Sequence, residues 1–264
     1  MVGCTNYAFS WFFNSLALKL LAIKKIKYCV TLKNWDNKTW LSSTSYIKSF
    51  NKFLVKETKL NKNSEILDIG CGRGKILGNL TSKLKLANKP IGIDIEHHKD
   101  RDKRIIFNKT DAINYLKKNR KKFDLILLKQ TIHFLSLKDI KKLLLLCMNC
   151  LNFGGRIAIF TLATSNNEIP TFLKMKKKLS KSLKRDQKIL RYINGLYPGS
   201  VSKTFSFKVK ISREKYVEMI KNRYISTLLN LSSADILKGI NEISRKYNKR
   251  LNFRDKLICR ILKK

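Results

Sequence analysis

An apolar, strand-like run that ends at an acidic residue and continues into alternating glycines is the strongest constraint in this sequence. It extends from Glu65 to Gly74 (EILDIGCGRG), with glycines at positions 70, 72 and 74. Glycine adopts positive φ and allows close approach to the backbone, which a tight strand-to-helix turn around a nucleoside requires. The segment that follows has a helical apolar face at Ile76, Leu77 and Leu80. We therefore predict a strand–turn–helix unit that binds a small ligand.

The spacing of this run, D-x-G-x-G-x-G from Asp68, differs from the G-x-G-x-x-G that brings a pyrophosphate onto a helix N-terminus. A second strand-like segment, 90–95 (PIGIDI), follows after a helix-length interval and contains Asp94. An acidic residue about 20 residues beyond the glycine turn suits hydrogen bonds to ribose hydroxyls. The alternative is an ordinary turn residue at a strand end. The pattern predicts a nucleoside site that needs no phosphate cradle.

These two segments resemble motifs I and II of the class I S-adenosylmethionine (SAM)-dependent methyltransferases. Three later segments, at 104–112, 122–134 and 151–160, resemble the third strand, motif IV and motif V of that family in the same order. The resemblance implies an α/β, Rossmann-like fold with a seven-stranded sheet. It also implies that the period-two segment 205–211 and the final strand 257–262 pair as an antiparallel C-terminal edge hairpin.

The resemblance further implies SAM as the cofactor and a set of residues that bind it. These are Asp68, Gly70, Gly72, Gly74, Asp94, Asp111, Ala112 and Lys129. The first four would line the methionine and ribose, and Asp94 would bind the ribose hydroxyls. Asp111 and Ala112 would border the adenine, while Lys129 would supply backbone contacts after the fourth strand. Arg73, inside the glycine loop, would pair with either an acidic neighbour or the cofactor's carboxylate.

Motif IV separates the classes of methyl acceptor. Methyltransferases that act on amino groups of bases typically have a [D/N/S]-P-P-[Y/F] turn here, and C5-pyrimidine enzymes use a Pro-Cys nucleophile. This chain has Lys129 to His133 (KQTIH) instead, with neither proline nor cysteine. His133 is the candidate catalytic residue, as a base or a hydrogen-bonding partner of the substrate. A histidine that only packs against its neighbours is the alternative.

The C-terminal part, from Ile211 to Glu242, resembles small-molecule enzymes related to the quinone C-methyltransferases and trans-aconitate O-methyltransferases. The function implied is transfer of a methyl group from SAM to a small organic acceptor at oxygen or carbon. An RNA methyltransferase is the alternative, favoured by charge and disfavoured by motif IV. A catalytically silent SAM-binding module is a third class, which the intact motifs I and II disfavour.

The net charge is +39 and the sequence pI about 10.2, values that ordinarily indicate nucleic acid or an anionic surface as the partner. Lysine, however, makes up 44 of the 57 basic residues, and these are scattered over nearly every predicted helix. Abundant Lys, Asn and Ile with only 3 prolines fit a genome rich in A and T. We therefore expect the charge to reflect composition more than a dedicated nucleic-acid surface.

Six cysteines are present, of which Cys147 and Cys150 form a C-x-x-C inside an apolar helical segment. No second C-x-x-C accompanies it, so we expect buried thiols and no metal site. Without a disulfide framework, the count indicates a reducing compartment, and we expect a cytoplasmic protein.

Three local patterns predict further elements. Trp40 to Leu54 forms an amphipathic helical pattern, and Ser232 with Asp235 three residues later indicates the start of a helix that reaches about Tyr247. By its resemblance to motif V, the segment 151–160 has a Gly-Gly turn between a helix end and the fifth strand.

Two segments lie outside the motifs. Residues 1–33 form an N-terminal apolar and basic appendage, which would suit peripheral contact with an anionic membrane, and the methyltransferase domain spans 34–264. Within that domain, 163–203 is predicted to be an insertion on the substrate side. It contains a basic amphipathic helix at 172–188, whose apolar residues Phe172, Leu179 and Leu183 would close over the acceptor or merely pack.

Overall fold

The computed structural model describes residues 39–264, which form one mixed sheet of seven strands with helices on both faces. The strands are β1 (Ile66–Ile69), β2 (Ile91–Asp94), β3 (Ile106–Lys109), β4 (Phe123–Lys129), β5 (Leu151–Leu162), β6 (Val201–Ser212) and β7 (Arg250–Lys263). The helices are α1 (Thr44–Thr58), α2 (Lys75–Leu84), α3 (Ala112–Lys118), α4 (Leu137–Asn149), α5 (Leu173–Leu196), α6 (Arg213–Lys221), α7 (Ser226–Leu229) and α8 (Ser233–Lys246).

The strand order is β3-β2-β1-β4-β5-β7-β6. Strands β1 to β5 pair in parallel, whereas β7 is antiparallel to both β5 and β6. The predicted seven-stranded, Rossmann-like α/β fold with an antiparallel C-terminal edge is therefore confirmed. Among the described residues, no helix is both long enough and apolar enough to cross a membrane. The predicted appendage 1–33 and its membrane contact lie outside the described residues.

Side chains alternate between the two faces of the sheet and build a separate core on each. One face carries Leu125, Leu127 and Phe160, which pack with α1, α2 and the helices between β6 and β7. The other face carries Ile126 and Leu128, together with residues of α4 and the C-terminal half of α5. The central parallel strands are thus buried on both sides, as expected when helices cover both faces.

Helix α1 begins where a hydroxyl caps its first turn. A short 3-10 turn at Trp40–Ser42 leads to Ser43, whose side chain accepts a hydrogen bond from the Tyr46 amide at 3.2 Å. The predicted amphipathic segment from Trp40 to Leu54 is therefore a turn followed by a helix. Its buried side chains cover the face of the sheet where Lys129 ends β4.

Strands β6 and β7 pair over their whole length, from the Val201–Ile261 pair to the Ser212–Arg250 pair. They are not joined by a hairpin turn, because α6, α7 and α8 lie between them in the chain. The last of these helices begins as predicted, with the Ser232 hydroxyl accepting from the Asp235 amide at 3.1 Å. The predicted pairing is confirmed, and the connection is helical.

Motif V also differs in detail from the expected Gly-Gly turn. Gly154 and Gly155 lie inside β5, and the register between β4 and β5 shifts between Phe123 and Leu125. Gly154 has a φ of 74°, so a backbone irregularity stands where a turn was predicted.

The predicted insertion contains one long helix, α5, and its apolar residues are largely used by the core. Phe172, which caps the helix, is 2 % exposed and lies against Gly239 of α8; Leu179 is also buried. Leu183 is only half-buried. The hypothesis that all three close over the acceptor is therefore wrong for Phe172, whose ring occupies the space that a side chain at position 239 would need.

Gly239→Ala should destabilise the fold, because an added Cβ would lie 2.5 Å from the Phe172 ring. Overpacking of this kind costs about 1–3 kcal/mol. Denaturant unfolding monitored by circular dichroism measures the effect. The matched control is Gly195→Ala in α5, where nothing lies within 4 Å of an added Cβ. The alanine there should leave stability unchanged or raise it by up to about 1 kcal/mol, since alanine favours helix. Equal effects of both substitutions would contradict this packing.

Candidate active site

The glycine loop joins β1 to α2 through three residues with positive φ: Gly70 at 76°, Gly72 at 54° and Gly74 at 68°. A side chain at Gly70 would collide with Thr131, and one at Gly74 with Ile105. Nothing lies within 4 Å of a Cβ placed on Gly72. Two of these glycines therefore serve the packing of the loop, while Gly72 faces open space that a ligand can occupy.

Asp94, at the end of β2, holds the loop in this shape. Its Oδ2 accepts a hydrogen bond from the Gly72 amide at 2.8 Å, and its Oδ1 accepts one from the Glu96 amide at 2.9 Å. A carboxylate has about four acceptor sites, so each oxygen can accept a further hydrogen bond. The predicted ribose-binding residue is thus also a structural link between β2 and the glycine loop.

Asp68, in β1, is buried at 3 % exposure, and its Oδ1 has no hydrogen-bond partner. Burial raises the pKa of this carboxyl to about 7; the charge of Lys129 opposes the shift and that of Asp94 adds to it. A buried acceptor without a partner is costly unless a donor arrives. A cationic amine, such as the one on the methionine part of SAM, fits this requirement.

Asp111 and Ala112 lie at the start of α3, close to the end of β2. The Thr110 amide donates to the Asp94 carbonyl at 2.9 Å, which brings the two strand ends together. The Asp111 carboxylate caps the helix by accepting from the Asn114 amide at 3.0 Å. Because that side chain is used locally, contact with an adenine here would come chiefly from the backbone.

Ile95 is a residue that the sequence reasoning missed. It follows Asp94 directly, and 61 % of its surface is exposed. An exposed branched apolar side chain beside Asp94, the predicted ribose-binding residue, offers a surface on which a flat ring can lie. The sequence signal that could have identified Ile95 is its position immediately after Asp94, the acid at the end of β2.

The loop after β4 is anchored to both neighbouring strands. Gln130 has a φ of 54°, unusual for a residue with a side chain, and its amide donates to the Phe160 carbonyl at 2.8 Å. The Thr131 hydroxyl donates to the Ile69 carbonyl at 3.1 Å. Motif IV and the glycine loop are therefore fixed to each other.

The Lys129 side chain turns into the site, beyond the backbone role predicted for it. Its Nζ lies 5.5 Å from the centre of the Tyr46 ring and 5.6 Å from that of Phe50, both in α1. Such contacts stabilise a cation on an aromatic face. Its positive charge also lowers the pKa values of Asp68 and Asp255, so it lies within electrostatic reach of both carboxyls.

Tyr46 and Asp255 are further buried polar residues that the sequence reasoning missed. Trp40 donates from Nε1 to Asp255 Oδ2 at 2.9 Å, and burial raises the pKa of this carboxyl. The Tyr46 hydroxyl is buried without a hydrogen-bond partner, and burial and then the charge of Asp255 raise its pKa well above the ordinary value. One signal was available: Asp255 interrupts the inward series Leu251, Phe253, Leu257 in β7.

His133 lies in a 3-10 turn at Ile132–Phe134, half-buried against α5. Burial, and then the positive charge of Arg185, lower the pKa of this imidazole to about 4. The ring is therefore neutral near pH 7, but a base with so low a pKa accepts protons weakly. This environment disfavours the general base among the roles considered for His133 and leaves the hydrogen-bonding partner and the packing residue.

The Arg73 guanidinium pairs with an acidic neighbour, which is the first of the two interpretations given for it. Its Nη1 lies 2.9 Å from Asp100 Oδ2, and the residue is only 5 % exposed. The Asp102 amide also donates to the Arg73 carbonyl at 2.8 Å. The ion pair with an acidic neighbour is confirmed.

Comparison with known proteins identifies the family. The model of a methyltransferase domain matches residues 60–221. A search of curated protein sequences gave no significant match. The fold is similar to a methyltransferase assigned to an antibiotic biosynthesis pathway in Anabaena variabilis, with TM-score 0.57, 14 % identity and coverage of 80 % of this chain and 95 % of that one. It is also similar to the plantazolicin methyltransferase BpumL bound to a pentazolic desmethylPZN analog and SAH, with TM-score 0.50, 16 % identity and coverage of 93 % and 98 %.

The family match covers more than half of the chain and spans every motif from the glycine loop to β6. Three features of the fold agree with that match: the order of the strands, the glycine turn after β1 and Asp94 at the end of β2. The chain therefore belongs to the methyltransferase-domain family, as a class I SAM-dependent methyltransferase.

Proposed function

We propose that this enzyme transfers the methyl group of SAM to a small organic acceptor, at oxygen or carbon. The observation that carries the proposal is the burial of the polar groups beside the cofactor site. Tyr46 has no exposed surface and Asp255 is 1 % exposed, because α1 and Trp40 cover them. Polar groups covered in this way suit a small acceptor better than a polymer.

The cofactor-binding residues have complementary roles in this proposal. Asp68 pairs with the amino group of SAM, and Asp94 accepts hydrogen bonds from the ribose hydroxyls while it keeps its bond to Gly72. The open space at Gly72 admits the cofactor to the loop. Ile95 packs against the adenine, and the backbone of Asp111 and Ala112 borders it. Four of these assignments rest on a described feature: an unpaired acceptor at Asp68, further acceptor capacity at Asp94, open space at Gly72 and exposed apolar surface at Ile95.

The sulfonium of SAM supplies an electrophilic methyl group, so the protein's task is to align an acceptor and exclude water. Helix α1 performs the exclusion by burying the site beneath Tyr46 and Phe50. The loop from Gln130 to Thr131 holds motif IV against the glycine loop through its bonds to β5 and β1. His133 stays a candidate for contact with the acceptor, as a neutral hydrogen-bonding partner.

RNA methylation is the second candidate, and one observation besides net charge favours it. A cavity between α3 and α4 is lined by four basic residues, Lys117, Arg120, Lys121 and Lys122. It lies at the start of β4, whereas Lys129 ends that strand. Since β4 has seven residues at about 3.3 Å each, RNA held in this cavity would be about 20 Å from the motif IV loop. This separation favours the small-molecule acceptor.

Asp94→Ala should weaken binding of SAM and of its product S-adenosylhomocysteine (SAH) by about 1.5–3 kcal/mol, the scale of a lost pair of charge-assisted hydrogen bonds. Titration calorimetry with SAH measures this change. Asp139→Ala, which removes only a helix-capping partner of Ser136 in α4, is the control. Unchanged SAH affinity in Asp94→Ala would remove Asp94 from the site.

SAH binding should also depend on pH through Asp68. Burial raises the pKa of this carboxyl to about 7, while the charge of Lys129 opposes the shift and that of Asp94 adds to it. Only the ionised form pairs with the ligand's ammonium group, so affinity should be full above pH 7. Below it, affinity should fall by up to about tenfold per pH unit, as one coupled proton requires. Calorimetry between pH 5.5 and about 8 checks this range, and Asp68→Asn should bind weakly with little pH dependence; a pH-independent wild type would contradict the assignment.

RNA binding tests the second candidate. If the charge reflects composition, affinity for single-stranded RNA should be weak, independent of sequence and steeply reduced by salt, because binding releases counterions. Fluorescence anisotropy with RNAs of different sequence, at rising salt, measures this. Sequence-selective binding that persists at physiological salt would promote the RNA methyltransferase over the small-molecule enzyme.

A further inference from the structure

Three polar side chains lie beside the residues proposed to bind the cofactor: Tyr46 and Asp255, which are buried, and the half-buried Lys129, of which only the backbone was assigned to the cofactor. The strand order explains what they can contact. Along the carboxyl edge of the sheet, Asp94 ends β2, Asp68 lies in β1, Lys129 ends β4 and Asp255 belongs to β7. With the ribose at β2 and the methionine at β1, as proposed above, the free side of the methyl group faces β4 and β7. These three residues therefore line the acceptor side.

Lys129 sets the charge of this side. Its ammonium group lies over the rings of Tyr46 and Phe50 and within electrostatic reach of Asp68 and Asp255. A protonated amine would be repelled by this cation at short range, where burial weakens the screening by water. An anionic or acidic oxygen would be attracted to it. The site therefore discriminates between acceptors by charge.

Tyr46 provides a second contact. It has no exposed surface, and its hydroxyl has no hydrogen-bond partner in the free protein. A buried hydroxyl in this state carries a desolvation cost that a bound oxygen atom removes. Asp255 provides the third contact, because Trp40 holds its Oδ2 at 2.9 Å and leaves Oδ1 to accept a proton.

We propose that Lys129, Tyr46 and Asp255 bind the acidic oxygen of the methyl acceptor, a phenol or a carboxylic acid, and that this oxygen receives the methyl group. The inference rests on the proposed function and narrows it from oxygen or carbon to oxygen. Lys129 stabilises the anionic oxygen, and the Tyr46 hydroxyl donates a hydrogen bond to it. Because Lys129 is also within reach of Asp68, the oxygen it binds lies next to the cofactor.

The step balances with the residues present. A phenolic acceptor gives its proton to the ionised Asp255. A carboxylic acid arrives already ionised at neutral pH and accepts a hydrogen bond from the protonated form of Asp255, whose pKa burial raises. The oxygen lone pair forms the new O–C bond while the S–C bond of the sulfonium breaks and its electron pair remains on sulfur. The products are the methyl ether or ester and neutral SAH. Asp255 then releases its proton to solvent.

The first test identifies the labelled product. The full-length enzyme is incubated with a crude metabolite extract and SAM that has a deuterated methyl group, and the product is fragmented by mass spectrometry. We expect an O-methyl product, either an ester that base hydrolyses or an aryl ether. An N-methyl or C-methyl product would overturn this inference while leaving the small-molecule function intact. No labelled product at all, from an enzyme that binds SAH, would contradict the proposed function itself.

The second test uses Lys129→Met and Tyr46→Phe with the acceptor found in the first. Each should raise the acceptor KM about tenfold or more, as loss of a charge-assisted or buried hydrogen bond requires. Affinity for SAH, measured by calorimetry, should stay unchanged in Tyr46→Phe. In Lys129→Met it should fall near pH 7, because the Asp68 pKa rises further without the opposing charge of Lys129, and it should recover at higher pH. Tyr46→Phe keeps the buried ring, so a folding defect in Lys129→Met would not end the test.

The matched controls are Lys210→Met on the exposed side of β6 and Tyr192→Phe in α5, which should leave both the acceptor KM and SAH affinity unchanged. A loss of SAH affinity in Lys129→Met that persists at higher pH would assign the Lys129 side chain to the cofactor and overturn its place here. An unchanged acceptor KM in both site variants would overturn the proposal altogether.

Discussion

The hydrogen bond from the Gly72 amide to the Asp94 carboxylate is the contact on which the active site depends. It joins the end of β2 to a loop of positive-φ residues that would otherwise be free to adopt other conformations. The Ile93 carbonyl reinforces this join by accepting from the Gly70 amide at 2.8 Å and the Cys71 amide at 3.1 Å. Thr131 then fixes the motif IV loop to the same strand end. The shape of the glycine loop is therefore fixed by contacts within the protein itself.

A second constraint is the placement of charge under α1. Asp68 and Asp255 are both buried, and two uncompensated carboxylates there would be costly. Lys129 reduces that cost because its positive charge acts on both carboxyls. Trp40 also donates a hydrogen bond to Asp255. The rings of Tyr46 and Phe50 lie against the cation. The same arrangement that makes the charges tolerable also makes their electric field strong.

Much of this could be predicted from the sequence because the signals were local. The glycine spacing from Asp68, the cap at Ser232 and the alternation in β6 each depend on residues a few positions apart, and each predicted the right element. The side-chain direction of Lys129 could not be predicted, since it depends on Tyr46 and Phe50 more than 70 residues away. The Phe172–Gly239 contact could not be predicted for the same reason. Asp255 had a local signal, an acid at an inward strand position, but its partner Trp40 is 215 residues distant.

Strand β6 is the last in the sheet, so one row of its backbone groups has no neighbouring strand among the described residues. Its outward positions carry only short polar or cationic side chains: Ser202, Thr204, Ser206, Lys208 and Lys210. Lysines on an exposed edge oppose pairing with the edge of a second molecule, because like charges would meet as the strands approach. Some of the lysines that we attribute to amino-acid composition therefore also have a physical effect at this edge. These lysines oppose the use of this edge, which no strand among the described residues covers, as a template for aggregation.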